Sequence, residues 1–297
     1  MMYRIISAGN IGYRLLYSGG AMCCVSENRE AVLKNQIKFA ALFICLCVPA
    51  FAQAVQAGTD EQADDGECAI FQIEVRKLQK CRVYLPEDYD STRTYPLVIG
   101  LHGYGGNARG FSRIWEYLEP HTFIYAVPEA PYPISDLTME STRQYSWEFR
   151  GDDAGLWREA DPWISEFIVR VADFLGKKYR IEKTCLFGFS QGAAWAYITG
   201  IRNPEVFHGI ICFGGRLIDP LEYDWLLTDG IIRNGRDLKV FIAHGRGDDT
   251  IGYQAALDAG QKLKDFGYDV ELVLFEGGHT IVRSPLEKAL EWMGIRD

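Results

Sequence analysis

Lys183-Thr184-Cys185-Leu186-Phe187-Gly188-Phe189-Ser190-Gln191-Gly192-Ala193-Ala194-Trp195-Ala196-Tyr197-Ile198 is the stretch on which the reading of this chain turns. Lys183 to Phe187 reads as a buried β-strand, and Ala193 to Ile198 reads as a helix packed on a sheet. Between them lies G-x-S-x-G, with Ser190 at its centre. A serine is exposed for attack only where a strand turns sharply into a helix. The flanking glycines are needed because a side chain at either position collides with the neighbouring strand or helix. Bare G-x-S-x-G is common by chance, but in strand–turn–helix context it marks Ser190 as a nucleophile. The plainer reading is a turn serine between glycines.

A serine hydroxyl is a poor nucleophile near neutral pH. It needs a base, a group that orients the base, and donors for the oxyanion. In a strand–elbow–helix arrangement the acid and then the histidine follow the serine in the chain. The chain has five histidines: His102, His121, His208, His244 and His279. His102 and His121 precede Ser190. His208 opens the apolar run Gly209–Phe213 at a strand edge, and His244 closes Val240–Ala243, half buried at a strand end. His279 stands in Glu276-Gly277-Gly278-His279-Thr280, after the strand-like Val270–Phe275. The last helix then opens with Ser284-Pro285-Leu286-Glu287, which reads as a capping box with proline in the first turn. A histidine on a glycine-rich loop between final strand and final helix can reach across the sheet's carboxyl edge. His279 is therefore the expected base, with a purely structural histidine as the alternative. A base must be neutral, so activity is expected to fall once acid protonates it.

The acid belongs beyond the preceding strand, in His244-Gly245-Arg246-Gly247-Asp248-Asp249-Thr250-Ile251. By composition either Asp248 or Asp249 could orient the histidine or serve as a turn residue. One oxyanion donor is the backbone N–H of Gln191, directly after the nucleophile. The other belongs in the loop after Pro96–Leu101, which reads His102-Gly103-Tyr104-Gly105-Gly106, where glycines let the backbone approach the substrate oxygen. An ordinary glycine-rich turn is the alternative there. A phosphate loop is disfavoured, because no G-x-x-x-x-G-K-[ST] follows.

With these four motifs in order, the chain resembles the α/β-hydrolases of the carboxylesterase, phospholipase and acyl-protein thioesterase group, from about Leu85 to the C terminus. The resemblance implies Asp248 as the acid, since in that group it is the fourth residue after the histidine of H-G-x-x-D. It also implies Tyr104 as the second oxyanion donor. Where the group usually has proline after the acid, this chain has Asp249-Thr250-Ile251. A looser similarity extends to secreted feruloyl esterases and polyhydroxyalkanoate depolymerase-like esterases.

Strand-like runs recur at Ala69–Val75, Cys81–Leu85, Leu97–Leu101, Phe123–Val127, Cys185–Phe187, Gly209–Phe213, Val240–Ala243 and Val270–Phe275. Ile164, Phe167, Ile168, Val171, Phe174 and Leu175 recur at helical spacing. Together they predict an α/β-hydrolase fold whose mostly parallel, eight-stranded sheet has helices on both faces. Two stretches fit neither pattern: Pro128–Asp161, with Tyr132, Tyr145, Trp147, Phe149 and Trp157, and Arg216–Asp237, with Tyr223, Trp225, Leu226 and Leu227. They read as walls of an acyl or alcohol pocket, with Trp147 the expected substrate contact, or else as a cover for the core. Neither is long enough for a large lid, so an open cleft is expected.

Lys34 and Lys38 precede the apolar run Phe39–Val48, and Ala50 and Ala52 follow at A-x-A spacing. This reads as a secretory signal peptide over about residues 32–52, cleaved after Ala52. The run is short for a bilayer span, an uncleaved anchor being the alternative. Neither Cys45 nor Cys47 fits a lipoprotein signal. Residues before Val32 do not resemble a signal peptide, which places the expected translation start near Val32 or Leu33. The domain reading is a leader at 1–52, a flexible lead-in at 53–67 and a catalytic domain at 68–297. A secreted or periplasmic location follows from the leader, which the cytosolic thioesterases of the group lack.

Removing residues 1–52, with five basic and two acidic side chains, takes the net charge from −9 to −12. That balance disfavours nucleic acid and anionic membranes as partners. Cys68 and Cys81 flank a hairpin-like segment and either pair or stay free, while Cys185 and Cys212 read as buried thiols. No metal motif and no cofactor is called for. The partner expected is a small-molecule or polymer-borne ester. Alternatives are a serine peptidase of the same fold and a non-catalytic binding protein.

Overall fold

The computed structural model describes residues 13–18, 21–26, 77–134, 143–148, 162–217 and 226–296. The chain separates into two compact units, Met1–Val75 and Arg76–Asp297. In the first, the described residues form an antiparallel hairpin of β1 (Tyr13–Ser18) and β2 (Ala21–Ser26). The proposed leader segment at 32–52 and the strand-like Ala69–Val75 lie outside the described residues.

The second unit is built on a sheet of seven described strands: β3 (Cys81–Tyr84), β4 (Tyr95–Leu101), β5 (Ile124–Pro128), β8 (Ile181–Phe189), β9 (Gly209–Phe213), β10 (Lys239–Gly245) and β11 (Val270–Phe275). Their spatial order is β11-β10-β9-β8-β4-β5-β3. Every neighbouring pair is parallel except β3 with β5. The sheet thus has seven described strands, and the eighth expected, Ala69–Val75, lies outside the described residues. The two remaining described strands of this unit, β6 (Tyr132–Ile134) and β7 (Gln144–Ser146), form a separate antiparallel hairpin that periodicity did not reveal.

Alternation along the strands divides the core between two faces. Leu97, Ile99, Leu186, Ile210, Cys212, Val240 and Ile242 join one cluster, while Val98, Cys185, Phe187, Ile211, Phe213, Phe241 and Ala243 join the other. Helices cover both. The first face takes α2 (Pro162–Lys178), α3 (Gln191–Arg202), α4 (Asp229–Asn234) and α5 (Gln254–Asp265) through Ile164, Ile168, Trp195, Ile232 and Leu263. The second takes α1 (Ala108–Phe111), the 3-10 turn Ser112–Tyr117 and α6 (Arg283–Trp292) through Phe111, Trp115, Leu286 and Leu290. Being covered on both sides is what makes the central strands continuously apolar.

Three local expectations are corrected. Phe174 is not a core residue of α2; it is 65% exposed, and Ala172 turns inward instead. The final helix starts at Arg283, with Val282 as an N-cap that makes no side-chain capping bond. Pro285 therefore falls inside the first turn, where its missing N–H costs nothing, and Glu287 pairs with Arg283 at 2.9 Å instead of closing a capping box. Leu226 and Leu227 are buried core residues rather than parts of a pocket wall.

From β4 the chain turns to β5 on one side, and from β8 it runs through β9, β10 and β11 on the other. The loops after β4 and β8 therefore diverge, opening a crevice at their carboxyl ends, where open α/β sheets bind ligands.

Candidate active site

Ser190 is placed by the turn between β8 and α3. Its φ of 54° and ψ of −119° make it the single non-glycine residue with positive φ among the described residues. An L-residue held there stores local strain, of the kind that gathers at functional sites. Its N–H bonds to Phe213 O at 2.9 Å, and its carbonyl accepts from Ala193 and Ala194 N–H at 2.9 and 3.2 Å, so it ends the strand and begins the helix. A Cβ on Gly188 would strike the Gly192 carbonyl, and one on Gly192 would strike that of Leu101. The flanking glycines exist for that packing, as the motif implied.

Asp248 and His279 arrive from the loops after β10 and β11. Their backbones are tied together by Arg246 N–H to Phe275 O at 2.9 Å and Gly247 N–H to Gly277 O at 2.8 Å. His279 Nδ1 lies 2.7 Å from Asp248 Oδ2. Asp248 Oδ1 accepts from the N–H groups of Thr250 and Ile251 at 2.9 and 2.8 Å. Burial is the largest influence on this carboxyl and works to raise its pKa. The Ile251 N–H, the His279 hydrogen bond and the Thr250 N–H together outweigh it and hold the group below the usual carboxylate range. Asp248 is thus an anion facing a histidine. Asp249 is exposed, and it is Asp248 that meets His279. The imidazole packs at 4.8 Å from the Phe189 ring and against Gly214, so it stands beside the turn that carries Ser190.

The loop after β4 completes the arrangement. Gly103 approaches so closely that a Cβ there would lie 3.3 Å from the Ser190 Cβ. Gly105 N–H donates to Tyr145 O, and Tyr145 N–H donates to Gly106 O, both at 3.0 Å, so the β6–β7 hairpin clamps the loop. His102, which is 1% exposed, holds it from below. Its Nε2 accepts from Ala130 N–H at 3.2 Å, which puts the ring proton on Nδ1, 2.8 Å from Gly103 O. Burial pulls the His102 pKa down to about 4, the Gly103 bond opposing this in part, so the ring is neutral. Tyr104 sits at the tip of this loop, half exposed. Gln191 opens α3, where a first-turn N–H has no acceptor within its own helix.

Trp147 does not line a pocket. It is fully enclosed, packs against His102 and Phe167, and donates its indole N–H to His102 O at 2.7 Å. As placed, it supports the loop and leaves no surface for substrate. Its own N–H donates to Gln191 Oε1 at 3.0 Å, while Gln191 Nε2 donates to Ser146 Oγ at 3.0 Å. The Gln191 side chain thereby joins hairpin, loop and nucleophile helix. The sequence assigns Gln191 only a backbone role and gives no sign of the supporting parts that the His102 ring and Ser146 play. His244, expected half buried, is wholly buried, with Nε2 at 3.1 Å from Asp248 Oδ2.

A family model described as phospholipase/carboxylesterase matches residues 89–295. The chain belongs to the phospholipase/carboxylesterase family. All the residues just described from Tyr104 to His279 fall inside that match. The chain is also 29% identical over 184 residues to acyl-protein thioesterase 1 of Mycosarcoma maydis, covering 56% of this chain and 72% of that one. Among solved structures, acyl-protein thioesterase 2 of Zea mays superposes with a TM-score of 0.56 at 18% identity, over 73% of this chain and 98% of that one. Esterase PE8 gives 0.55 at 26% identity, with the same coverage. The fold is that of an α/β-hydrolase, and the protein is a hydrolase of this family.

Cys185 and Cys212 are buried free thiols, and burial raises the pKa of both, that of Cys185 to about 12. Cys81 is free, while Cys68 lies outside the described residues. So do Phe149, Trp157, Tyr223 and Trp225, and with them the expected open cleft. Among the described residues no group of His, Cys, Asp and Glu is set to hold a metal, and no helix is long and apolar enough to cross a membrane.

Proposed function

We propose that the protein is a serine hydrolase of carboxylic esters, working through Ser190, His279 and Asp248. Ser190 Oγ attacks the ester carbonyl carbon as its proton passes to His279. The carbonyl π-electrons move onto oxygen, and the backbone N–H groups of Gln191 and Tyr104 receive that oxyanion. Collapse of the intermediate breaks the bond to the alcohol oxygen, which leaves with the proton from His279. Water then repeats the sequence on the acyl-enzyme, freeing the acid and Ser190. Asp248 keeps the imidazole in the required tautomer and stabilises the imidazolium.

One observation supports this reading above all: the 2.7 Å contact from His279 to an anionic Asp248, beside a strained serine turn. The test is hydrolysis of p-nitrophenyl esters from acetate to decanoate by the protein and by Ser190→Ala. Loss of the serine should lower kcat by roughly 10⁴-fold or more. Equal activity in the variant contradicts the proposal. The chain-length profile reports how much acyl chain the site admits.

The substrate is a small-molecule or polymer-borne ester met outside the cytoplasm. Export rests on the lysines, apolar run and A-x-A spacing of residues 34–52. Mature protein recovered from the exported fraction should begin at Gln53. Retention of the intact leader in the cytoplasm contradicts export.

A further inference from the structure

We infer that His244 is a positioning residue of the site: its Nε2–H, bonded to Ile251 O, holds the turn whose backbone N–H groups bind the Asp248 carboxylate. The inference rests on the ester-hydrolase reading, which supplies Asp248 with its role.

His244 ends β10 and is wholly buried. Its Nε2 lies 2.7 Å from Ile251 O and 3.1 Å from Asp248 Oδ2. Ile251 O can only accept, so this nitrogen carries the proton and donates it there, with the Asp248 oxygen alongside. Among the described residues, the buried Nδ1 has no hydrogen-bond partner. That suits the bare nitrogen of a neutral ring protonated on Nε2, because a proton on Nδ1 would be a buried donor with nothing to accept it. The geometry therefore selects one tautomer.

The consequence falls on Asp248. Its Oδ1 is held by two backbone N–H groups from the following turn, and its Oδ2 is where His279 binds. His244 approaches Oδ2 from the strand side, and its bond to Ile251 O folds the turn back over the carboxylate. Donors from the turn and the catalytic loop thus restrain the carboxylate's rotation, and His244 fixes the turn. Without His244, the turn that binds Oδ1 loses its tie to the strand, and the Oδ2 that orients His279 can shift. A small displacement there is transmitted to the base and then to Ser190.

The test compares His244→Leu and His244→Gln, since a glutamine side chain can bring an N–H to the position of Nε2. Fluorophosphonate labelling counts the competent sites, and kcat and KM are then expressed per labelled site. His244→Leu should label fully but turn over slower by tens of times, up to on the order of 100-fold, with KM unchanged. His244→Gln should recover most of that rate. Wild-type kcat per labelled site in His244→Leu overturns the inference, as does a glutamine variant no better than leucine. If His244→Leu does not fold, the ¹⁵N imidazole spectrum of the wild type decides. A neutral ring protonated on Nε2 is expected, and protonation on Nδ1 overturns the inference. A wild type that fluorophosphonate does not label overturns the ester-hydrolase reading instead, while the spectrum still decides the His244 hydrogen bond.

Discussion

The indole N–H of Trp147 and the main-chain oxygen of His102 meet at 2.7 Å beneath the loop that runs past Ser190. This bond links a hairpin of the chain's middle to the end of the fourth strand. It also sets the depth at which His102, Gly103 and Tyr104 leave the sheet. The loop is held on both sides, by Trp147 at the His102 carbonyl and by the His102 ring at the Gly103 carbonyl.

Trp147→Phe keeps most of the apolar bulk and removes that one donor. The expected result is a fall in kcat on the order of tenfold, less than the ~10²–10³-fold cost of losing an oxyanion donor outright. Leaving His102 O without its partner should also cost about 1–3 kcal/mol of stability. Steady-state kinetics and urea unfolding check the two effects separately.

The two adjacent aspartates should respond very differently. Asp248→Asn removes the anion facing His279 and should cut kcat by roughly 10⁴-fold, the scale set by the wrong-tautomer effect in serine triads. Asp249→Asn changes an exposed side chain and should leave kcat near wild type, with stability within about 0.5 kcal/mol. The same ester assay on both variants checks the assignment.

Stability should weaken in mild acid because of His102. Its folded pKa of about 4 lies below the ~6.5 of an unfolded histidine, so the unfolded chain binds the proton first. The contribution is complete above about pH 6.5 and is lost as pH falls toward 4, at a cost of about 3 kcal/mol. His102→Gln should flatten that part of the stability–pH curve. Denaturant midpoints measured across the range would show it.

Glycine substitutions should separate packing from propensity. Gly192→Ala drives a methyl into the Leu101 carbonyl and should destabilise by more than the ~1–3 kcal/mol usual for overpacking. Gly176→Ala, in α2, meets nothing within 4 Å and should stabilise by up to about 1 kcal/mol. Thermal melts of the two variants should move in opposite directions.

Much of this architecture was legible in the sequence because its signals are local. The apolar runs located all seven described strands of the sheet, and G-x-S-x-G located the turn. Chain order set aside His102 and His121, and the glycine-rich loop after the last strand singled out His279. What escaped was set by tertiary contact. Nothing local marks Trp147 as a support rather than a wall, since the acceptor for its indole N–H lies 45 residues away. His244 looked like any strand-end histidine until the turn at Asp248 folded back onto it. Phe174 matched the helical period but faces outward, because the sheet takes Ala172 at that level. Ser284 matched a capping box, yet the chain entered the helix earlier, at Arg283.

The most direct test of the central claim is to map by mass spectrometry where a fluorophosphonate attaches. The account predicts a single adduct on Ser190, absent in Ser190→Ala and formed far more slowly in His279→Ala. No adduct on the folded protein, or one on another residue, would contradict it.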